Sequence, residues 1–539
     1  MGRKRPWIMI NKNSLKEDEN MRKKWKKNLV ALMCAAVFAA TPCLAAFAEE
    51  EMEETTAAED LEYVEMDWYL ELSPTRPDYD MVSEKVNEYL LEKLNMKVNM
   101  HFMTAAEYAE KVPNMLRAGE DCGIVRISHE LPYAINARQG ALYPMDELLQ
   151  QYGTGSKGLF SEDVWNSLRI DGKIYCVPNL KDNSYITGYL YNADLAEELG
   201  LDMENIEAEN GRDLGEILLK AIELRNEKHP EWEGMPLTSD TRGVFPYYFQ
   251  VEQMGNLSYI VCNIPGIDDI EGYDPDTVFN LYGTEEFLDF CLMQQRLYEA
   301  GVYAYDYAEM ADAMSYPSTL LTHSWGYTWV DEHIFSNEFT TKLVNYDNIW
   351  TDSSNFTTSA LAISANCANP ERAMMLIELL NTDSYLATLL RFGIEGEHYV
   401  IDEDGNMILD GTRNADPSNP GWLYWYGDNF GNLTITNAPE SYGGPDGIVF
   451  QKMLEYNNSA LLTSHMGFIF DPTNVETEIT ACSNVIEEYN DLITGHYESA
   501  EDVNVAFDEM NEKLIANGIN KVLEEAQLQI DTWNAEQQK

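Results

Sequence analysis

Between Val64 and Ile127 the chain switches repeatedly between two hydrophobic periods, and this switching constrains its fold more than any other feature. Val64, Met66 and Trp68 alternate with Glu65 and Asp67, the period of a strand with one covered face. Ser73-Pro74-Thr75-Arg76-Pro77 interrupts that run, and Val82, Val86, Tyr89 and Leu90 then share one helical stripe. Val98, Met100 and Phe102 alternate again, a helix is expected over Tyr108–Ala118, and Gly123 to Ile127 forms a further short strand. Strand, helix, strand, helix, strand is the opening of a wound α/β sheet, whose ligand loops lie at the carboxyl ends of the strands.

Further along, Tyr185 to Tyr191 reads as a strand, with a helix over Ala193–Leu199 ending at Gly200 and an α-rich region up to about residue 314. Thr358 to Ile363 is a strand, followed by Asn369-Pro370 and a helix over Glu371–Leu380. From about Val475 the chain is helical. Thr473 or Asn474 is the expected cap of the first of these helices and Gly495 its stop. The last helix puts Ile519, Val522, Ala526, Ile530 and Trp533 on one face. Asp402-Glu403-Asp404-Gly405-Asn406 has the look of a calcium loop but lacks the downstream bidentate Glu, so a hairpin turn is expected.

Charge separates the N-terminus from the rest. The chain has 539 residues and a formal net charge of −56, yet residues 1–48 hold ten Lys/Arg and three acids, leaving 26 basic and 89 acidic residues in 49–539. Arg22 to Lys27 precedes an apolar run from Leu29 to Ala40 and then Ala46-Phe47-Ala48, the plan of a secretory signal with small residues at the cleavage site. Residues 1–48 are therefore read as a signal peptide cut after Ala48, with Met21 an alternative start. Thr41 and Pro42 suit lipid attachment at Cys43 poorly. Residues 49–60 are an acidic linker. An acidic body disfavours nucleic acid and anionic lipid. Cys122, Cys176, Cys262, Cys291, Cys367 and Cys482 are widely spaced without a CxxC, which points to buried thiols rather than zinc and leaves one long-range disulfide open.

Four segments carry a resemblance to a known family. Met115 to Val125 is similar to its small-Gly-acid…Asp-Ile-Val segment, with Gly123 in place of the usual Asp. Gly140-Ala141-Leu142-Tyr143-Pro144-Met145-Asp146 resembles its Gly-x-Leu-x-Pro-Leu-Asp turn. Gly172-Lys173-Ile174-Tyr175…Pro178 with Tyr191-Asn192-Ala193-Asp194-Leu195, and Leu361-Ala362-Ile363 with Asn369 to Ala373, resemble its two interlobe crossovers. The family is that of the extracellular solute-binding proteins of ABC importers, the maltose-binding-protein-like family 1. Gly393 to Tyr399, Gly467 to Pro472, Ala516 to Ile519 and Gln527 to Trp533 resemble a Gram-positive, lipoprotein-like subgroup with an extra C-terminal domain of unknown function.

The resemblance implies an α/β, two-lobe periplasmic-binding-protein clamshell with discontinuous lobes and a helical C-terminal extension. The N-terminal lobe is expected in 59–180 plus 315–366, and the C-terminal lobe in 181–314 plus 367–539, of which 450–539 is a helical domain. It further implies an extracellular, monomeric, non-enzymatic protein without cofactor or metal. Such a protein captures a small-molecule solute, an oligosaccharide by subgroup, and delivers it to ABC permease membrane subunits. Other readings are a binding protein for a peptide or another polar solute, a secreted glycoside hydrolase with two opposed carboxylates, and a carbohydrate-adhesion protein. Sugars offer C–H faces to aromatic rings and hydroxyls to polar groups. The candidate site residues are accordingly Trp68, Tyr69 and Glu71 at the end of the first strand, and Asn183 and Tyr185 at the crossover. Arg242 stands in a turn, Trp325 and Tyr327 flank Gly326, Glu395 and Tyr399 belong to the tail motif, and Trp425 precedes Gly427.

Overall fold

The computed structural model describes residues 61–537 apart from 73–74, 186, 204–210, 239–248, 256, 268–269, 304–316, 326–340, 346–348, 404, 417–418, 425–428, 438 and 440–447. Residues 61–539 form one compact unit. The expected signal segment with Ala46 and Ala48, and the linker, lie outside the described residues.

The first sheet grows from the alternating segment. Strand β1 (Val64–Glu71) runs parallel to β2 (Met96–Met103), with Trp68 opposite Met100, and parallel to β3 (Ile124–Ile127), with Trp68 opposite Ile124. The helix Tyr79–Leu94 joins β1 to β2, burying Val82, Val86, Leu90 and Leu94 on one stripe. The helix Ala105–Ala118 opens on a capping box, Thr104 accepting from the Glu107 amide while the Glu107 carboxylate accepts from the Thr104 amide, and it closes on left-handed Gly119. Gly123 has φ +56°, and a Cβ there would fall 2.1 Å from the Asp67 carbonyl oxygen. Only glycine fits so close to a neighbouring strand.

The sheet is completed by β4 (Val177–Pro178) and β12 (Ala360–Ile363), giving the order β2-β1-β3-β12-β4 with β12 antiparallel to both of its neighbours. The second lobe is built on β5 (Thr187–Asn192), flanked antiparallel by β9 (Leu321–Trp325) and β10 (Thr341–Asn345). It also holds a three-stranded antiparallel sheet of β6 (Val251–Met254), β7 (Leu257–Asn263) and β8 (Phe279–Asn280), inside the stretch expected to be α-rich. Leu257-Ser258-Tyr259-Ile260-Val261-Cys262 carries the β-branched and aromatic content of a covered strand, so a strand signal was present there.

The two cores correct the expected lobe boundaries. One cluster takes residues from Met66 to Val177 and from Phe356 to Phe430; the other takes residues from Tyr189 to Leu321 and from Phe470 to Ile530. Residues 367–430 therefore pack mainly with the first lobe, because the helices Pro370–Thr382 and Ser384–Phe392 bury Met374, Ile377, Leu380, Leu386 and Leu390 against its sheet. Strands β9 and β10 belong to the second lobe, through their ladders to β5.

The chain consequently crosses between the lobes three times, and the crossings lie side by side. Strand β11 (Trp350–Thr351) pairs in parallel with β15 (Leu461–Leu462), and Tyr185 bridges to Trp350, its amide donating to the Trp350 carbonyl at 2.7 Å. Asn457 Oδ1 accepts from the Asn183 amide and from Ser184 Oγ, and Thr351 Oγ1 donates to the Asn183 carbonyl at 2.6 Å.

In the tail, the helix Glu476–Glu488 starts after Val475 rather than on a Thr473 or Asn474 cap, because the Thr473 hydroxyl and amide donate to Asp471 instead. Gly495, at φ +79°, closes the short helix Asp491–Thr494 that follows. Strands β13 (Val400–Ile401) and β14 (Met407–Ile408) form the expected hairpin around Gly405. The six cysteines among the described residues are free and buried.

Candidate functional site

A cavity of about 490 Å³ opens where the lobes meet the hinge. Ser128, His129, Tyr133 and Ile135 line it from the carboxyl end of β3 and the helix Tyr133–Arg138. The second lobe contributes Phe249, Gln250, Glu252, Leu257 and Ser258; the hinge contributes Tyr185, Trp350, Asp352, Ser353 and Ser354; the tail contributes His465, Phe468 and Phe470.

The hinge wall combines an aromatic pair with a chain of polar groups. Tyr185 and Trp350 lie ring against ring with centroids 4.2 Å apart and planes 31° apart. Burial pushes the Tyr185 phenol up, so it stays neutral, and its hydroxyl meets Ser354 Oγ at 2.9 Å. Ser354 in turn donates to Asp352 Oδ1 from its hydroxyl at 2.6 Å and from its amide at 2.9 Å. Asp352 is pushed up to about 6, chiefly by burial and further by the Glu252 charge, against the pull of these hydrogen bonds.

The cavity is also lined by a buried histidine held by two acids. His465 Nδ1 lies 2.8 Å from Glu252 Oε2, and its Nε2 lies 3.2 Å from Asp276 Oδ1. Burial disfavours the imidazolium, yet hydrogen bonds and charge attraction from Glu252 and Asp276 outweigh it and hold the imidazole above its ordinary value. Gln250, which lines the same cavity, has a buried Oε1 without a hydrogen-bond partner among the described residues. Beneath Ser128, Arg126 Nη1 pairs with Glu71 Oε2 at 2.5 Å, and Ser128 Oγ donates to Glu130. Burial pushes Glu71 up despite Arg126.

The residues expected at the site are dispersed. Tyr185 lines the cavity. Asn183 is buried in the hinge, its side-chain amide donating to the carbonyls of Asn179 and Asn355. Trp68 is wholly buried in the first core, edge-on to Phe430 at 6.0 Å, because its strand is covered on both faces. Tyr69 stacks on His101 at 4.5 Å, outside the cavity lining. Glu71 lies behind that lining, engaged by Arg126. Tyr399 is buried with Phe392, Met407 and Leu423, while Glu395 is exposed in the adjoining loop; neither lines the cavity. Trp325 ends β9 opposite Thr187. Arg242, Tyr327 and Trp425 lie outside the described residues.

Trp350, Asp352, Ser354, Glu252 and His465 were missed. An aromatic followed by small polar residues, as in Trp350-Thr351-Asp352-Ser353-Ser354, was the available signal at the hinge. Nothing local marked Glu252 or His465, which meet from 213 positions apart.

Residues 464–535 match the family model described as a domain of unknown function (DUF3502). A Streptococcus pneumoniae protein described as a carbohydrate ABC transporter substrate-binding protein is 26% identical over 483 residues, 85% of this chain and 89% of its own length. The crystal structure of the N-glycan transport solute binding protein NgtS from Streptococcus pneumoniae superposes with a TM-score of 0.68 at 21% identity, covering 87% of this chain and 99% of that one. The S. pneumoniae ABC-transporter substrate binding protein FusA, an EF-hand mutant in complex with fructo-nystose, superposes at 0.54 with 13% identity, covering 88% and 99%. These likenesses establish the α/β solute-binding-protein fold.

Proposed function

We propose, with the solute-binding-protein fold as premise, that this chain is the carbohydrate-binding component of an ABC importer, working outside the cell and handing an oligosaccharide to a membrane permease. The observation that carries this reading is the cavity at the hinge, in which the Tyr185–Trp350 pair lies beside Asp352, Ser354, Gln250 and Glu252. Aromatic faces suit the C–H side of a pyranose, and a rim of carboxylate, amide and hydroxyl groups suits its ring of hydroxyls. The full-length relative described as a carbohydrate ABC transporter substrate-binding protein supports the same class. No helix among the described residues is long and apolar enough to cross a membrane.

Asp352 and Glu252 give the cavity two carboxylates, as a glycosidase would require. Asp352 Oδ1 accepts from Ser354, however, and Glu252 Oε2 is taken by His465. In this reading the pair orients hydroxyls, and no bond of the sugar is made or broken. Three crossings bound at one hinge suit closure of the lobes over a ligand.

The test is a thermal-shift screen of residues 49–539 against neutral oligosaccharides and short peptides. A sugar present at a hundred times its dissociation constant stabilises by about 2.7 kcal/mol. The expected result is such a shift with the sugar recovered intact. A response confined to peptides, or cleaved sugar in the incubation, overturns the reading.

A further inference from the structure

The groove between the lobes does not end at the first cavity. The helix Tyr133–Arg138 lines that cavity with Tyr133 and Ile135, and at its far end Arg138 lines a second chamber of about 970 Å³. Phe468 and Ile469 line both. The segment around them stands between the two spaces. Gly467 has φ +95° and approaches the first lobe so closely that a Cβ would fall 2.9 Å from Ser167 Cα; its amide donates to Ser353 Oγ at 2.6 Å.

The second chamber repeats the chemistry of the first. Its first-lobe wall carries Asn166, Arg169 and Asp171, and the opposite wall is the last helix, Ile519–Gln537, with Gln529 and Trp533. Trp533 extends the core face of that helix but is only half-buried; its ring sits 6.2 Å from both Phe468 and His465. Thr463, also on the chamber wall, is 4% exposed, and its buried hydroxyl has no hydrogen-bond partner among the described residues. An aromatic body beside amide, guanidinium and carboxylate groups again suits a sugar ring, and both volumes lie in the range of small-molecule sites.

We propose that the C-terminal helical segment supplies a second sugar subsite, so that one long or branched oligosaccharide fills the hinge cavity and this chamber together. The proposal rests on the functional reading above and adds to it that ligand size is selected at Trp533. Short saccharides occupy the hinge cavity alone.

The test uses matched short and long sugars: N-acetylglucosamine carrying one or five mannose units, and fructo-oligosaccharides of three or four units. Affinities are measured by calorimetry on the whole mature chain, for wild type, Trp533→Ala and Arg138→Ala. Arg138 is exposed, so its variant keeps the test standing if Trp533→Ala melts early in the unliganded state. In the series that binds, the long member is expected to bind wild type at least tenfold more tightly than the short one. Both variants are expected to lose fivefold or more for the long member and less than twofold for the short. Equal affinity for both lengths, or equal losses for both, overturns the second subsite and leaves the functional reading intact. If no sugar of either length, nor any in the wider screen, binds wild type, the functional reading falls and the subsite with it.

Discussion

Replacing His465 by Gln removes the cation that Glu252 meets inside the cavity wall. The side chains of His465 and Glu252 are 0% and 5% exposed, so their 2.8 Å pair belongs to the buried class. Breaking such a pair by removing one partner costs about 3–5 kcal/mol, because the other charge stays buried alone. The Asp276 contact adds little: that carboxylate is 68% exposed, where pairs are worth about 0–1 kcal/mol. At roughly 2–4 °C per kcal/mol for a lobe of about 150–250 residues, the melting temperature at pH 6 drops by on the order of 10 °C. The pH dependence gives a second signature. The folded imidazole titrates above its ordinary value of 6.5, so its stabilisation is complete below 6.5 and is lost as pH rises through the folded value. Wild type therefore loses this contribution above pH 6.5, and His465→Gln shows a correspondingly shallower loss. The double variant His465→Gln with Glu252→Gln recovers part of the drop by removing the stranded charge. Calorimetric melting from pH 6 to 9 on the three proteins decides the matter. A single variant that melts within 1 °C of wild type at pH 6, or keeps the wild-type slope, refutes the buried pair.

Three further outcomes are expected. Asp352→Asn removes a carboxylate whose raised folded value makes its own contribution to stability fall by about 3 kcal/mol as pH climbs from 3.8 to about 6; the difference between the wild-type and variant profiles changes by that amount across the window in denaturant titrations. Gly467→Ala puts a Cβ at φ +95° against Ser167 Cα and costs about 1–3 kcal/mol; small-angle scattering reads whether the lobes part to relieve it, and an unchanged melting curve counts against the contact. Thr104→Ala breaks the capping box of the helix Ala105–Ala118 and costs about 1 kcal/mol in urea unfolding, with ligand affinity unchanged because the helix N-terminus lies outside the cavity lining.

The local elements were legible wherever periodicity and caps agreed. Strand β1, the helix Tyr79–Leu94 and the strand Ala360–Ile363 stand where their patterns placed them, because one covered face imposes one period. The antiparallel sheet of β6 to β8 was not recognised, as its short strands fall within a long stretch read as helical. The lobe boundary failed at 367–430 for a different reason. Apolar faces on the helices Pro370–Thr382 and Ser384–Phe392 announce burial but not against which core. Among the candidate site residues, Tyr185 lines the cavity, whereas Trp68 packs in the core. An aromatic at a strand end serves a ligand or a core with the same local pattern, and only the covering of the strand's second face separates the two.

The sequence by itself determined the α/β character of the first lobe, the acidic body behind a basic N-terminal segment, and the resemblance to solute-binding proteins. All of these depend on residues close in the chain or on their order along it. Tertiary structure alone decided that three crossings lie side by side, that His465 is held between Glu252 and Asp276, and that Trp533, on its helix's core face, borders a second chamber. Those facts depend on partners brought together from distant segments, and the energy that selects them resides in packing between segments rather than within any one of them.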